Sequence, residues 1–194
     1  MARIRWGFPS LCIIAACSLA AGLSAAEEER SSAPAAATSY ANEDKDFGVP
    51  PASRPKRAPY HAPTPLQIPG ATVIKTVELK HLIDTNPRVV IIDVLNTRTS
   101  RATIPGAVWL PRAGDGDFFA AERERFAVAL QKLTGGEMGR PLVFLCLNSE
   151  CWLSYNASLH AIEAGYTKVM WYRGGSEAWA AAGYDMRGMQ ATSW

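Results

Sequence analysis

The sequence has no strong excess of charge of either sign. It contains 20 Lys and Arg residues against 18 Asp and Glu residues. Two of the basic residues, Arg3 and Arg5, lie in an N-terminal segment that we predict to be removed, and without them the two signs balance at 18 each. A neutral chain offers no basic surface to nucleic acid or to an anionic membrane, so neither is predicted as a partner.

Metal ligands are also scarce, with three histidines and four cysteines in the whole chain. The loop Gly114-Asp-Gly-Asp117 is acidic, but it lacks the spaced ligands and the distal glutamate of a calcium loop. A pair of cysteines with no histidine nearby makes a poor zinc site. No metal and no other cofactor is predicted.

No apolar run reaches the roughly 20 residues that a membrane span needs. The longest one, from about Phe8 to Leu23, follows two arginines and ends in small residues at Ala26 before a run of glutamates. This order is typical of a secretory signal peptide. We therefore predict a signal peptide over residues 1–26, a periplasmic protein, and no transmembrane span after cleavage.

Two alternatives to this prediction remain. The apolar run could act as a membrane anchor, or Ile14-Ala-Ala-Cys17 could be a lipoprotein box that leaves Cys17 acylated. Cleavage after Ala26 removes Cys12 and Cys17, so the mature chain keeps Cys146 and Cys151. In an oxidising compartment two close cysteines form a disulfide unless something keeps them reduced.

The composition divides the rest of the chain into segments. Residues 27–57 are rich in Ala, Pro, Ser and charge without any period, which predicts a disordered linker. Residues 58–70 set apolar side chains between prolines and are predicted as an extended arm. A domain over residues 71–187 and a C-terminal tail over residues 188–194 follow.

Strands alternate with helices in the domain, which predicts an α/β fold with a parallel sheet. The predicted elements are an edge strand at Val73-Ile74, a helix capped by Thr76, a strand over 88–95, a polar loop over 96–103, a short strand within 104–111, an amphipathic helix over 118–133, a buried strand over 142–145, a helix after Trp152, a strand over 168–172 and a helix capped by Ser176.

The cysteines lie at the edge of the sheet where ligands of such folds bind, because Cys146 follows a buried strand and Cys151 begins a helix. Loop N–H groups and the positive end of the helix favour a thiolate there. We predict Cys146 as the nucleophile and Cys151 as the resolving cysteine, since Glu150 and Trp152 stand beside Cys151. The predicted supporting residues are Leu147, Asn148, Ser149, Glu150, Trp152 and Asp93.

Several side chains around this site have predicted roles outside catalysis. Asp93 is predicted to shape the loop by accepting backbone N–H bonds that lower its pKa, and not to act as a base. Trp152 is predicted to pack on the sheet, and His160 to be a surface residue. His61 reaches the site only if the arm folds over it. The remaining domain tryptophans, Trp109, Trp171 and Trp179, are predicted in the core or in a pocket wall.

Five segments in this order resemble a rhodanese domain over about residues 70–185. They are Val90-Ile-Ile-Asp93-Val, Ile104-Pro-Gly-Ala107, the strand ending in Cys146, Gly165-Tyr-Thr-Lys-Val169 and Gly174-Gly-Ser-Glu-Ala-Trp179. The resemblance implies a three-layer α/β/α domain with a parallel sheet of about five strands. It also implies that the nucleophilic cysteine is Cys146, in the loop after the central strand.

A narrower resemblance is to an exported rhodanese-like group named for a CXXCW motif and linked to PQQ-dependent alcohol catabolism. The segments that carry it are Tyr60-His-Ala-Pro-Thr-Pro, Ile104-Pro-Gly-Ala-Val-Trp-Leu-Pro111, Cys151-Trp-Leu-Ser-Tyr-Asn156 and Trp171-Tyr172. In this chain four residues separate the two cysteines. The resemblance implies sulfur or thiol chemistry in an exported protein.

The chain departs from ordinary rhodaneses in ways that disfavour thiosulfate as a substrate. No Lys or Arg lies between residues 146 and 152, and Leu95 stands where an arginine is often found. Within the loop a dianion would meet only backbone donors, while Glu150 would oppose a Cys146 thiolate.

Three functions remain open. Cys146 could accept a sulfane sulfur from a small substrate, with Cys151 attacking the persulfide. The pair could be a dithiol/disulfide couple that serves a periplasmic redox partner protein. The domain could also be a non-catalytic binding module in which a structural disulfide shapes the loop, although so short a loop gains little from closure.

Overall fold

The structure, a computed structural model, describes residues 38–97 and 100–194. The predicted signal peptide, Cys17 and residues 27–37 of the predicted linker lie outside the described residues. In the described ranges no helix is both long and apolar enough to cross a membrane.

In the described residues the domain has seven strands and four helices. In chain order they are β1 (Thr72–Ile74), α1 (Thr76–Thr85), β2 (Val90–Asp93), β3 (Arg101–Thr103), β4 (Val108–Trp109), α2 (Ala120–Thr134), β5 (Leu142–Leu145), α3 (Trp152–Glu163), β6 (Val169–Tyr172), α4 (Gly175–Ala181) and β7 (Arg187–Met189).

Five of the strands form one parallel sheet in the order β1-β6-β5-β2-β4. Side chains of the central strands alternate between two hydrophobic clusters, as the two-residue period of a strand requires. Phe144 packs with residues of α2 and α3, and Val143 packs with residues of α1 and α4. The predicted three-layer α/β fold with a five-stranded parallel sheet is confirmed.

The short strands β3 and β7 pair antiparallel and form a separate two-stranded sheet. The sequence predicted a polar loop over residues 96–103 and a tail over residues 188–194, so both predictions need correction here. Both strands have only three residues and no run of buried apolar side chains, so no hydrophobic period marks them. Farther along the tail, Thr192 and Trp194 also bond to the domain, through the carbonyls of Trp109 and Pro111.

The helix caps differ from the sequence prediction. Lys75 occupies the N-cap of α1 and Gly174 that of α4, while Thr76 and Ser176 lie inside the helices. The hydroxyl of Thr76 instead donates to the buried carboxylate of Glu43 at 2.7 Å. The side chains of Thr76 and Ser176, which were predicted as helix caps, therefore form hydrogen bonds with residues distant in the chain.

Residues 38–57 lie against the domain, which corrects the predicted disorder for this part of the 27–57 segment. The amide group of Asn156 bonds both the N–H and the carbonyl of Lys56 at 2.8 Å. The hydroxyl of Tyr155 does the same for Ala52, also at 2.8 Å. Single polar side chains of α3 hold the backbone of this segment. Its own sequence therefore shows no hydrophobic pattern that would predict an ordered structure.

Candidate functional site

Cys146 directly follows β5, the middle strand of the sheet, and Cys151 is the N-cap of α3. Their Sγ atoms lie at disulfide-bonding distance and their Cα atoms are 6.4 Å apart. Both residues are buried, with 1% and 5% of their surface exposed. The sequence therefore predicted correctly where the two cysteines lie in the fold and that they can pair.

The loop between the cysteines is held by its own backbone and by α4. Asn148 accepts the N–H of Cys151 with its carbonyl and that of Glu150 with its side chain. The carbonyls of Cys146 and Leu147 accept the N–H groups of Ser176 and Glu177. Gly175 has a positive φ of 62°, and a Cβ there would lie 2.5 Å from the Leu147 carbonyl. Only glycine allows α4 to begin this close to the loop.

The loop N–H groups were predicted to face the Cys146 sulfur, but the structure shows other neighbours around this atom. Glu150, Cys151 and Trp152 direct their N–H groups to other acceptors. Cys146 Sγ instead lies 3.1 Å from the hydroxyl of Ser154 and 3.2 Å from the carbonyl oxygen of Cys151. Ser154 is not among the residues predicted from the sequence, although its position three residues after Cys151 places it in the first turn of α3.

The extended arm crosses the cysteine loop. His61 and Cys151 form an antiparallel bridge, flanked by hydrogen bonds from Trp152 N–H to the Tyr60 carbonyl and from Ala62 N–H to the Glu150 carbonyl, both at 2.9 Å. These contacts place the backbone of the arm beside the loop. His61 was predicted to reach the site only if the arm folds over it. The structure shows the arm folded in this way.

Thr64, in the middle of the arm, is fully buried. Its hydroxyl donates to the Ser149 carbonyl at 2.6 Å and accepts from Arg173 Nε at 3.0 Å. Arg173 also donates to the carbonyls of Glu43, Lys45 and Thr64 at 2.7 to 3.0 Å. One buried arginine thus joins the end of β6 to both N-terminal segments, and burial lowers its pKa from the ordinary value.

Asp93 lies at the end of β2, one strand away from Cys146. Its carboxylate accepts the Leu95 N–H at 3.0 Å and the Thr103 hydroxyl at 2.5 Å, and Arg101 Nε lies 2.8 Å away. The predicted lowering of its pKa is wrong, because burial raises the pKa of this fully buried carboxyl despite Arg101 and the two hydrogen bonds.

Arg101 supplies a cation close to a loop that has none of its own. Its Nη2 donates to the Ser176 hydroxyl at 2.7 Å, and the Ser176 N–H donates to the Cys146 carbonyl. Asp93 is therefore connected to the cysteine loop through Arg101 and Ser176. The sequence gave no sign of this connection, because Arg101 comes from the segment that was predicted as a polar loop.

The aromatic predictions have mixed outcomes. Trp109, Trp171 and Trp179 are buried, as predicted. Trp152 is also buried, and its Nε1 donates to the Pro63 carbonyl of the arm at 3.0 Å. The prediction of a surface position for His160 is wrong.

His160 is 5% exposed and stacks on the ring of Phe118 with centroids 3.9 Å apart. Its Nε2 donates to the Asp115 carbonyl at 2.9 Å, and burial lowers its pKa. Among the described residues no group of three side chains could hold a metal ion.

Comparison with known proteins identifies the domain. A family profile described as the Rhodanese-like domain matches residues 75–182. This range contains β2, β4, β5 and β6 of the parallel sheet and both cysteines. The search of the curated proteins found no match.

Several solved structures are similar to this chain. A thiosulfate sulfurtransferase from Pseudomonas aeruginosa has 20% identity and a TM-score of 0.46, over 62% of this chain and 21% of its own length. A rhodanese-like domain from an Anabaena sp. protein has 21% identity and a TM-score of 0.45, over 64% and 89%. A polysulfide-sulfur transferase homodimer from Wolinella succinogenes has 16% identity and a TM-score of 0.43, over 61% and 79%.

Proposed function

The chain belongs to the rhodanese-like domain family, and on that premise we propose that it uses Cys146 and Cys151 as a dithiol/disulfide couple. Cys146 is the nucleophile and Cys151 is the resolving cysteine. The substrate is a disulfide or dithiol of a redox partner protein.

One observation carries this proposal: the two sulfurs are at bonding distance at the carboxyl edge of the central strand. The nucleophilic cysteine of a rhodanese domain lies in the loop after the central strand, as Cys146 does here, and is expected to react with a small sulfur donor without a second cysteine. Here the second sulfur occupies the space beside it, with both cysteines buried. A paired sulfur can resolve an adduct on Cys146 without any movement of the sheet.

The exchange balances in two steps. The Cys146 thiolate attacks a partner disulfide, which forms a mixed disulfide on Cys146 and releases one partner thiolate. The Cys151 thiolate then attacks Cys146 Sγ, which forms the Cys146–Cys151 disulfide and releases the second partner thiolate. The partner gains two electrons and the cysteine pair loses two, and the reverse sequence oxidises a partner dithiol.

Sulfane sulfur transfer is a second candidate, supported by the position of Cys146 after the central strand of a rhodanese-like domain. In that reaction Cys146 carries a persulfide, and the Cys151 thiolate attacks Cys146 Sγ. The products are the Cys146–Cys151 disulfide and hydrosulfide, so a partner thiol must then reduce the disulfide. Arg101, next to the loop, favours an anionic sulfur donor more than the loop sequence alone does.

The cellular setting is part of the proposal. The charged start, apolar middle and small-residue end of residues 1–26 support export with cleavage after Ala26. The resemblance to the CXXCW group supports a partner in PQQ-dependent alcohol oxidation. N-terminal sequencing of the exported protein should find Glu27 first, and an acylated Cys17 would contradict soluble export.

The test of the catalytic roles is adduct trapping. The reduced Cys151→Ser variant, treated with a small aromatic disulfide, should keep a stable mixed disulfide on the peptide that carries Cys146. The Cys146→Ser variant is the matched control and should react far more slowly at Cys151. Faster reaction at Cys151 would mean that the two roles are reversed. If neither folded variant reacts, the domain is a non-catalytic binding module and its disulfide is structural.

A further inference from the structure

The hydroxyl of Ser154 contacts the sulfur that the proposed function makes the nucleophile. Ser154 is 1% exposed and lies in the first turn of α3, with its Oγ 3.1 Å from Cys146 Sγ. The second partner of this hydroxyl is the indole Nε1 of Trp171, at 3.0 Å. Trp171 is fully buried on β6, so a strand and a helix fix the Ser154 hydroxyl from both sides.

The direction of these two hydrogen bonds follows from the chemistry of the groups. An indole N–H can only donate, so Ser154 Oγ accepts from Trp171. The single hydroxyl hydrogen of Ser154 is then left for Cys146 Sγ, which has no hydrogen in the disulfide and none in a thiolate. Trp171 therefore orients the hydroxyl of Ser154 toward the sulfur.

We propose that Ser154 is a catalytic residue that donates a hydrogen bond to the anionic Cys146 sulfur, and that Trp171 is its positioning residue. This inference rests on the proposed function, because it concerns the sulfur that attacks and leaves. The Cys151 carbonyl oxygen, 3.2 Å from the same sulfur, repels negative charge there. The hydroxyl of Ser154 offsets this repulsion, since hydrogen bonds to charged acceptors are the stronger ones.

The hydroxyl acts in both directions of the exchange. When a partner dithiol is oxidised, its first thiolate attacks Cys146 Sγ and releases the Cys151 thiolate. Its second thiolate then attacks the partner sulfur of the mixed disulfide, and the electron pair of the broken bond stays on Cys146, which leaves as a thiolate. When Cys146 attacks a partner disulfide, it starts from the same thiolate. Ser154 donates to the sulfur in both cases and loses no proton itself.

The test measures the pKa of Cys146 directly. The full chain carries Cys151→Ala, which removes the second thiol of the pair without adding a new hydroxyl, and the Cβ chemical shift of Cys146 is followed with pH by NMR. Adding Ser154→Ala should raise the pKa of Cys146 by about one pH unit, which is about a tenfold fall in its acid dissociation constant. Ser154→Thr, which keeps a hydroxyl, should restore most of the loss.

Two controls separate this role from packing. Ser158→Ala removes an equally buried hydroxyl one turn later on α3, where it donates only to the Ser154 carbonyl, and should leave the pKa unchanged. Trp171→Phe removes the indole donor and should raise the pKa less than Ser154→Ala does. Equal shifts in Ser154→Ala and Ser158→Ala, or no shift in either, would overturn the inference.

The NMR reading does not depend on reagent access to Cys146. A Cys146 that titrates as described but forms no mixed disulfide in the trapping experiment would overturn the proposed function and leave the Ser154 hydrogen bond intact. A Cys146 that forms the adduct with an unchanged pKa in Ser154→Ala would overturn the role of Ser154 alone.

Discussion

At the scale of single residues, burial shifts the pKa of two titratable groups of the domain. Asp93 and His160 are both buried, and burial favours the neutral form of each. For Asp93 this raises the pKa, and for His160 it lowers the pKa. Sequence spacing can place such residues near a strand end or on a helix, but it does not tell how completely neighbouring loops cover them.

The covered imidazole of His160 predicts a pH-dependent stability. Its pKa in the folded protein lies below the ordinary value of 6.5, so between these two pKa values the unfolded chain binds more protons. The free energy of unfolding should therefore rise with pH through this window. This contribution is present in full above about pH 6.5 and is lost as the pH falls toward the folded pKa.

Urea unfolding of the wild type at about pH 5.5 and 7.5 measures this dependence. The His160→Gln variant keeps an N–H donor for the Asp115 carbonyl but cannot titrate, so its stability should change less between the two pH values. Equal changes in the variant and the wild type would show that other groups control the dependence.

At the scale of elements, the start of α4 holds the cysteine loop in place. Gly175→Ala should cost about 1 to 2 kcal/mol of stability for the positive φ and about 1 to 3 kcal/mol more for the clash with Leu147. Gly183→Ala is the matched control, since Gly183 also has a positive φ, of 76°, but has open space at its Cβ position. Urea unfolding of both variants gives the difference, and equal costs would contradict the close contact.

The arm is the second element in contact with the site, because its backbone bonds to the cysteine loop at Glu150 and to Trp152. Thr64→Val keeps the shape of the side chain but removes the bonds to Ser149 and Arg173. We expect a loss of about 1 to 3 kcal/mol in the free energy of unfolding and faster reduction of the disulfide by a small dithiol.

The control for the arm is Thr64→Ser, which keeps the hydroxyl and should behave more like the wild type. Reduction rates and urea unfolding are measured on both variants. A Thr64→Val protein that is less stable but no faster in reduction would mean that the arm does not limit access to the disulfide.

The elements also show what the sequence could predict. The run of apolar residues in β5 and the change to helical spacing after Trp152 were sufficient to place Cys146 and Cys151 and to predict their pairing. The pair β3 and β7, residues 38–57 and Ser154 were missed. The pairing of β3 with β7 and the contacts of residues 38–57 join groups far apart in the chain, so no period or motif in the sequence marks them. Ser154 is only eight residues from Cys146, but a single serine on a helix does not show which neighbour its hydroxyl contacts.

At the scale of the whole molecule, the N-terminal segments and the domain depend on one another. Arg173 directly follows β6 and donates to the carbonyls of Asn42, Glu43 and Lys45 and to that of Thr64 in the arm. The guanidinium group can reach all of them because its donors spread in a plane. The described segments before residue 75 therefore belong to the same folded unit as the domain, although the family profile begins at that residue.

The reduction potential of the Cys146–Cys151 disulfide in the folded protein tests the central claim most directly. The full chain is equilibrated in thiol/disulfide buffers of known potential, and peptide mass spectrometry reads the state of both cysteines. A redox-active pair should equilibrate without unfolding, at a potential above the roughly −300 mV below which structural disulfides lie. A disulfide that stays oxidised below that value until the protein is denatured would contradict the account.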